Sequence, residues 1–293
     1  MRIFSRLVVG LLWLLHWLPL PLLAKLGTGL GALLHRFGRA RRHVVDVNLR
    51  LCFPELSPAE REVLARRHFA VLGRSFLERG VAWWASEARL RRLVHVDHVE
   101  RIVDVLAEGR SLVLLVPHFV GLDMCGTRIA MEVNGVTVYT QQKNPVFDHW
   151  LRHGRSRFGD QVMLARGDGV RATVRAMRAG RGLYYLPDMD FGRKDSIFVP
   201  FFGVQAATIT ALPRIARLAG AVVVPALGRM LEDGSGYVFE IGEAWQNFPT
   251  DDVEADTARM NAWIESAVRT MPEQYYWVHR RFKTRPDGEA SPY

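Results

Sequence analysis

A histidine and a carboxylate stand five positions apart in His118-Phe119-Val120-Gly121-Leu122-Asp123, straight after the apolar run Ser111-Leu112-Val113-Leu114-Leu115-Val116. An imidazole exchanges a proton near neutral pH, and a neighbouring carboxylate fixes its tautomer and stabilises the imidazolium, so the pair suits general-base work. The apolar run reads as a buried strand ended by Pro117. A helix beginning near Gly121 puts Asp123 in its first turn, and such a strand-to-helix turn is expected to hold the His118 ring against Asp123. Ligands of open α/β sheets bind at the carboxyl ends of strands, where this pair falls. No serine or cysteine occupies a nucleophile-elbow position, so the expected nucleophile is a hydroxyl of the substrate. A histidine beside a carboxylate is also a common structural pair, and the spacing alone does not separate the two readings.

The elements that must position the pair follow from periodicity. Helices are expected over 44–53, from the Ser57-Pro58-Ala59-Glu60 start signal to about Trp84, and over 86–92, 99–108, 147–157, 169–179, 210–218 and 252–270. Strands are expected over 111–116, 136–139, 161–164, 183–186, 197–201, 221–227 and 237–241. Strands alternating with helices imply an α/β fold with a mixed, largely parallel central sheet flanked by helices. No internal repeat or low-complexity tract is present.

The N-terminus has a different character. Residues 7–24 form an 18-residue stretch without charge, and residues 1–45 carry seven basic side chains (Arg2, Arg6, Lys25, Arg36, Arg39, Arg41, Arg42) and no acidic one. A spanning helix needs about 20 apolar residues, so the stretch is short, and Pro19 and Pro21 interrupt it. A cleaved signal peptide lacks its small-residue cleavage site, and a buried core helix is the plainest alternative. The reading adopted is an uncleaved hydrophobic membrane helix, spanning or re-entrant, with the Arg36–Arg42 cluster on the cytoplasmic side. The division expected is 1–43, anchor and basic juxtamembrane segment, and 44–293, catalytic domain. Gly27 and Gly31 are expected to permit close helix packing rather than to form a dinucleotide loop, since no strand precedes them.

The formal net charge of +9 beside an apolar segment points to an anionic membrane surface or an acidic protein. No zinc-ligand spacing, recognition helix or aromatic-basic alternation suggests nucleic acid. Cys52 and Cys125 do not suggest a disulfide framework, and Cys125 reads as a small buried hydrophobe rather than a nucleophile. Arg166, opening a helix after a strand, is either an anion contact or a solvated turn residue. Asp188 and Asp190, alternating at a strand end, can bind substrate or shape a turn; no third ligand makes them a metal site. The run Trp277–Arg285 is either a solvated tail or a phosphate-binding patch at a membrane surface.

Several blocks together carry a resemblance: Asn48-Leu49 with Cys52-Phe53-Pro54-Glu55, His118…Asp123, Asn144-Pro145, Asp188-Met189-Asp190-Phe191-Gly192, Phe198-Val199-Pro200-Phe201-Phe202-Gly203, and Glu273-Gln274-Tyr275 leading into His279-Arg280-Arg281-Phe282-Lys283. Spread over about residues 45–285, they resemble the bacterial lipid A biosynthesis acyltransferases, which add secondary acyl chains; the histidine–acid pair is shared with glycerolipid acyltransferases. The resemblance implies a glycerolipid-acyltransferase-like fold and an enzyme on the cytoplasmic face of the bacterial inner membrane. It implies transfer of a fatty acyl group from acyl carrier protein to a hydroxyl of a primary acyl chain on a lipid A precursor. The partners expected are acyl carrier protein, the lipid A precursor and membrane lipids, with no nucleic acid, no metal and no cofactor beyond the acyl carrier protein thioester. His118 is then the base and Asp123 its orienting acid. Arg166, Asp188, Asp190, Asn144, Arg280, Arg281 and Lys283 are the substrate-contact candidates. Acylation of a glycerophospholipid or another lipid, and a non-catalytic lipid-binding protein, are the alternatives. Acyl chain length, the acceptor hydroxyl and the oligomeric state have no linear signature.

Overall fold

The computed structural model describes residues 2–293; Met1 and the Arg2 side chain, at the start of the expected anchor, lie outside the described residues. The helices are α1 (Arg2–Leu15), α2 (Leu20–Phe37), α3 (Arg39–Cys52), α4 (Pro58–Trp84), α5 (Glu87–Leu93), α6 (Glu100–Ala107), α7 (Leu122–Ile129), α8 (Pro145–Ser156), α9 (Gly169–Arg178), α10 (Ala211–Ala219) and α11 (Val253–Thr270). The strands are β1 (Val94–Asp97), β2 (Leu112–Leu115), β3 (Gly135–Tyr139), β4 (Val162–Ala165), β5 (Gly182–Tyr185), β6 (Ser196–Phe201), β7 (Val204–Ile209), β8 (Val222–Met230) and β9 (Tyr237–Ile241). Seven strands form one sheet in the order β1-β9-β8-β2-β5-β3-β4, and β6 and β7 form a separate hairpin. Every pair in the large sheet is parallel except β8 with β9.

Strand β2 lies inside the sheet, and all four of its residues are buried, as a parallel strand covered on both faces requires. Its side chains alternate between two cores. Val113 and Leu115 join one with residues of α3, α10 and α11; Leu112 and Leu114 join the other with residues of α1, α2 and α7. Helix α4 begins as expected: Ser57 accepts a hydrogen bond from the Glu60 N–H, and the Glu60 carboxylate accepts one from the Ser57 N–H. Two strands escaped the periodicity. β1 is a four-residue edge strand. β7 (VQAATI) pairs with β6 through a two-residue Phe202-Gly203 turn in which both residues have positive φ, 52° and 72°.

The expectation of a membrane-spanning helix is corrected. The apolar N-terminal stretch breaks at Pro19, which ends one helix and caps the next. Arg89 donates to the freed carbonyls of His16 and Leu18, so the break is hydrogen-bonded. At about 1.5 Å per residue, α1 spans roughly 21 Å, less than a hydrocarbon core of about 30 Å. Among the described residues no helix is long and apolar enough to cross a membrane. Instead Val9, Leu12, Leu20 and Leu23 are buried in the core. Ile3, Phe4, Leu7, Leu14, Trp17 and Phe37 lie more than half exposed on the other side.

Helix α2 crosses α4 at backbone contact, which bears out the packing expected of Gly27 and Gly31. A Cβ on Gly27 would lie 2.5 Å from the Arg74 Cα, one on Gly31 would overlap the Phe69 carbonyl, and one on Gly73 would lie 2.5 Å from the Gly31 nitrogen. Gly29, on the same helix, has nothing within 4 Å of its Cβ position. Gly29→Ala should therefore stabilise the protein by roughly 0.5–1 kcal/mol through helix preference, whereas Gly31→Ala should destabilise it by about 1–3 kcal/mol or more through overpacking. Denaturant unfolding of both variants checks this; equal shifts of the same sign would rule out the close crossing.

The middle of α4 also meets the C-terminal segment. His68 is fully buried, and its Nδ1 lies 2.9 Å from the Glu273 carbonyl. Burial lowers its pKa from 6.5 to about 4. Between these values the unfolded chain binds a proton that the folded chain excludes. Stability should thus fall as pH drops from about 6.5 towards 4. His68→Asn, which keeps a donor near Nδ1 and cannot titrate, should flatten that slope, by as much as about 1.4 kcal/mol per pH unit. Unfolding curves at stepped pH give the slopes; parallel slopes would place the acid sensitivity elsewhere.

Candidate active site

The turn between β2 and α7 carries His118 at the carboxyl edge of the sheet. The neighbouring strand β5 leads into Pro187 and Asp188 at the same edge, so strands side by side deliver a histidine and an aspartate to one point. His118 Nδ1 lies 2.7 Å from Asp188 Oδ1, and the His118 backbone N–H donates to Asp188 Oδ2 at 2.9 Å. The Tyr275 hydroxyl is a further donor to this carboxylate. Burial alone would raise the Asp188 pKa, but His118 and these hydrogen bonds outweigh it and leave the group below its ordinary value. Asp188 is therefore an ionised acceptor, and His118 Nδ1 carries the proton it receives. The Nε2 of His118 has no hydrogen-bond partner among the described residues, and the ring lines an open cleft.

This geometry corrects the role expected of Asp123. Its carboxylate meets guanidinium groups: Arg155 donates to Oδ1 through Nη2 at 2.8 Å and Nε at 3.2 Å, and Arg79 Nη2 lies 3.2 Å from Oδ2. Burial pushes the Asp123 pKa up, and Arg155 and Arg79 pull it down further, to about 2. The first turn of α7 aims the side chain at α4 and α8, which carry those arginines. Asp123 and His118 share the lining of the cleft, with Leu34, Arg41, Leu72 and Phe76 also on its wall.

A strap from the C-terminal region holds the His118 turn. Val120 N–H donates to the Gln274 carbonyl at 2.9 Å, and Tyr276 N–H donates to the His118 carbonyl at 3.0 Å. The Gln274 amide pairs with both backbone groups of Met230, at 2.8 and 2.9 Å, and fixes the strap to the end of β8. Asn48 Nδ2 donates to the Trp277 and His279 carbonyls at 2.7 and 2.8 Å. Three of the blocks that carried the resemblance thus meet around one turn.

The remaining candidates separate. Asp190 is buried, accepts from the Thr284 N–H and hydroxyl and from the Gly192 N–H, and shapes its loop. The Asp190 N–H donates to His279 Nε2 at 2.9 Å, and burial with the nearby Arg281 charge lowers the His279 pKa to about 4. Arg281 is buried and donates to the Ala207 carbonyl and the Thr208 hydroxyl, both at 2.8 Å. With Trp277 and Phe282 also buried, the expected phosphate patch at the membrane is corrected to an internal packing element. Arg280 and Lys283 are exposed. Asn144 caps α8 and donates to Ser5 Oγ at 2.6 Å, tying α1 to α8. Arg166 is exposed, with its guanidinium 4.1 Å from the Phe191 ring centre. Cys52 and Cys125 are free and buried, and burial raises both thiols, so neither is a ready nucleophile. Arg79 and Arg155 had no distinguishing sequence signal, because each reads locally as one more cation on a basic helix.

Comparison with known proteins gives the family of the chain. The family model described as bacterial lipid A biosynthesis acyltransferase matches residues 2–284. The chain is 40% identical to the lipid A biosynthesis lauroyltransferase of Escherichia coli K12, over 97% of this chain and 93% of the relative. It is 35% identical to the palmitoleoyltransferase of the same organism, over 97% and 92%, and 34% identical to its myristoyltransferase, over 93% and 83%. A more distant likeness, TM-score 0.38 at 13% identity over 80% of this chain and 98% of the other, is to the crystal structure of the 1-acyl-sn-glycerophosphate acyltransferase of Thermotoga maritima. Matched almost end to end, the chain belongs to the bacterial lipid A biosynthesis acyltransferase family.

Proposed function

We propose that the protein transfers a fatty acyl group from an acyl carrier protein thioester to a hydroxyl of a primary acyl chain on a lipid A precursor. The observation that carries this is His118, with Nδ1 tied to Asp188 and Nε2 open to a cleft that mixes apolar walls with arginines. The Nε2 lone pair takes the hydroxyl proton as the oxygen attacks the thioester carbonyl carbon. The tetrahedral intermediate collapses with cleavage of the carbon–sulfur bond, and the proton passes from His118 to the leaving sulfur. The products are an ester and a free thiol. Asp188 holds the ring in the productive tautomer and stabilises the imidazolium, acting as a positioning residue. Asp123 acts through Arg79 and Arg155.

The charge balance supports the partners: a chain of net charge +9 suits an acidic carrier protein and an anionic acceptor. The exposed apolar faces of α1 and α2 support a peripheral seat on the cytoplasmic face of the inner membrane, with these helices lying in the interface. Leu34 of α2 and Arg41 of α3 line the cleft, so that seat brings the cleft to the lipid surface.

Assay with an acyl carrier protein thioester and detergent-dispersed lipid A precursor tests the reaction. His118→Ala should lower kcat by about 10²–10⁴. Asp188→Asn, which leaves the ring without its acceptor, should cost up to about 10⁴ in kcat with little change in KM. An ester product mapped by mass spectrometry to a primary acyl hydroxyl is the expected result; turnover near that of the native protein in His118→Ala would sink the mechanism.

Binding to vesicles tests the membrane seat. The triple variant Phe4→Asp, Leu7→Asp, Leu14→Asp changes only exposed residues. At about 1.5–3 kcal/mol per large apolar side chain removed from lipid, its partition into phosphatidylglycerol-containing vesicles should fall by more than about 100-fold. Unchanged binding that salt abolishes would assign attachment to the basic residues instead.

A further inference from the structure

A second cavity opens from the cleft. It shares Leu122, Asp123 and Arg155 with the cleft and continues between α7 and the sheet. Its walls are apolar and largely buried: Leu112, Leu114, Ile129, Ala130 and Val136 are each less than 7% exposed. The cavity runs antiparallel to the strands. It starts at their carboxyl edge, where the Asp123 carboxylate sits between two arginines, and ends where β2, β3 and β5 begin, at Leu112, Gly135 and Gly182. Two features shape it. Gly126 faces it from the middle of α7; a Cβ there would meet the Tyr184 hydroxyl and ring at 3.5 and 3.6 Å, ordinary contact, so a methyl group fits without a clash and a larger side chain would narrow the cavity. Gln161 closes the far end, its Nε2 donating to the Val133 carbonyl at 3.0 Å and the Ala130 carbonyl at 3.4 Å.

We propose that this cavity is the acyl-chain tunnel, with Asp123 and Arg155 at its mouth, Gly126 at its waist and Gln161 as its floor, and that Gly126 and Gln161 set the length of chain transferred. A tunnel with a charged mouth, an apolar bore and a closed far end takes a chain with one polar end, a fatty acyl thioester. Its length follows the five residues Gly182–Leu186, about 16 Å at roughly 3.3 Å each. With about 1.25 Å of advance per methylene, from a carbon–carbon bond near 1.5 Å, that holds on the order of a dozen carbons. The proposal presupposes acyl transfer at His118, so its test reads binding as well as turnover.

The intact protein and three variants, Gly126→Ala, Gly126→Leu and Gln161→Ala, are given an equimolar series of acyl carrier protein thioesters of increasing length. Product chain lengths are read by mass spectrometry. In parallel, free fatty acids of the same lengths are titrated calorimetrically. Alanine and leucine both favour the helix more than glycine, and Gly126→Ala, whose Cβ meets Tyr184 only at ordinary contact distance, keeps the test falsifiable should the leucine variant not fold. Because one methylene in a hydrophobic pocket changes kcat/KM by about 10- to 200-fold, Gly126→Leu should shift the product maximum to shorter chains, with at least about a tenfold change in the long-to-short ratio. Gly126→Ala should shift it less, and Gln161→Ala should shift it to longer chains. The affinity ceiling for free fatty acids should move the same way. A ceiling that moves while no protein transfers acyl groups would overturn the proposed reaction and keep the tunnel. Active variants whose two profiles match those of the native protein would overturn the tunnel and keep the reaction, and fatty acids that bind without any length ceiling would also overturn the tunnel.

Discussion

The buried carboxylate of Asp188 is the constraint on which the catalytic edge depends. An ionised carboxylate removed from water is costly unless donors surround it. Here both oxygens are engaged by one residue, the ring and the backbone N–H of His118, with the Tyr275 hydroxyl as a third donor. Satisfying those oxygens forces the loop after β5 against the turn after β2 and draws the Tyr275 segment over both. The backbone of that segment then pairs with the turn on either side of His118. The histidine is thereby held by its own main chain and by its ring, which leaves Nε2 as its one outward-facing function.

The sheet divides the labour between its faces. One face is closed by α3, α9, α10 and α11 around Phe201, Trp277 and Phe282, and it contains the C-terminal blocks that resemble a family signature. The other face carries α1, α2 and α7, the cleft wall and the second cavity. The glycine crossing of α2 on α4 brings the two helices to backbone contact. One flank of the N-terminal helices is thus built into the core, while the opposite flank stays apolar and open to its surroundings. Large apolar side chains left exposed in a row cost solvation energy unless another apolar phase covers them.

Much of the fold was legible in the sequence because its signals are local. The capping box at Ser57, the buried run of β2 and the helix from Asp252 each need only a few neighbouring residues to declare themselves. The N-terminal stretch reads as a membrane helix because hydropathy does not distinguish a helix buried by lipid from one half buried by protein; Pro19 and the Arg89 hydrogen bonds decide between them, and Arg89 is 70 residues from Pro19. The inward roles of Arg281, Trp277 and Phe282 are hidden in the sequence for a related reason. A basic-aromatic run looks the same outside as inside, and what turns Arg281 inward is a pair of acceptors on β7, one of the two strands without a periodic signal.

Asp123 shows most clearly what spacing can and cannot settle. Five positions from His118 put it at the right edge of the sheet, in the first turn of a helix, as expected. Where the side chain points from there depends on what the neighbouring helices offer. Arg79 and Arg155 together carry two charges that need a carboxylate, and Asp123 satisfies both. His118 is left to a carboxylate seventy residues away. The histidine–acid motif is thus two functions held at one edge: Asp188 governs the imidazole, and Asp123 governs the arginines where cleft and tunnel join. A net single positive charge remains in that trio, at the junction of the cleft and the second cavity.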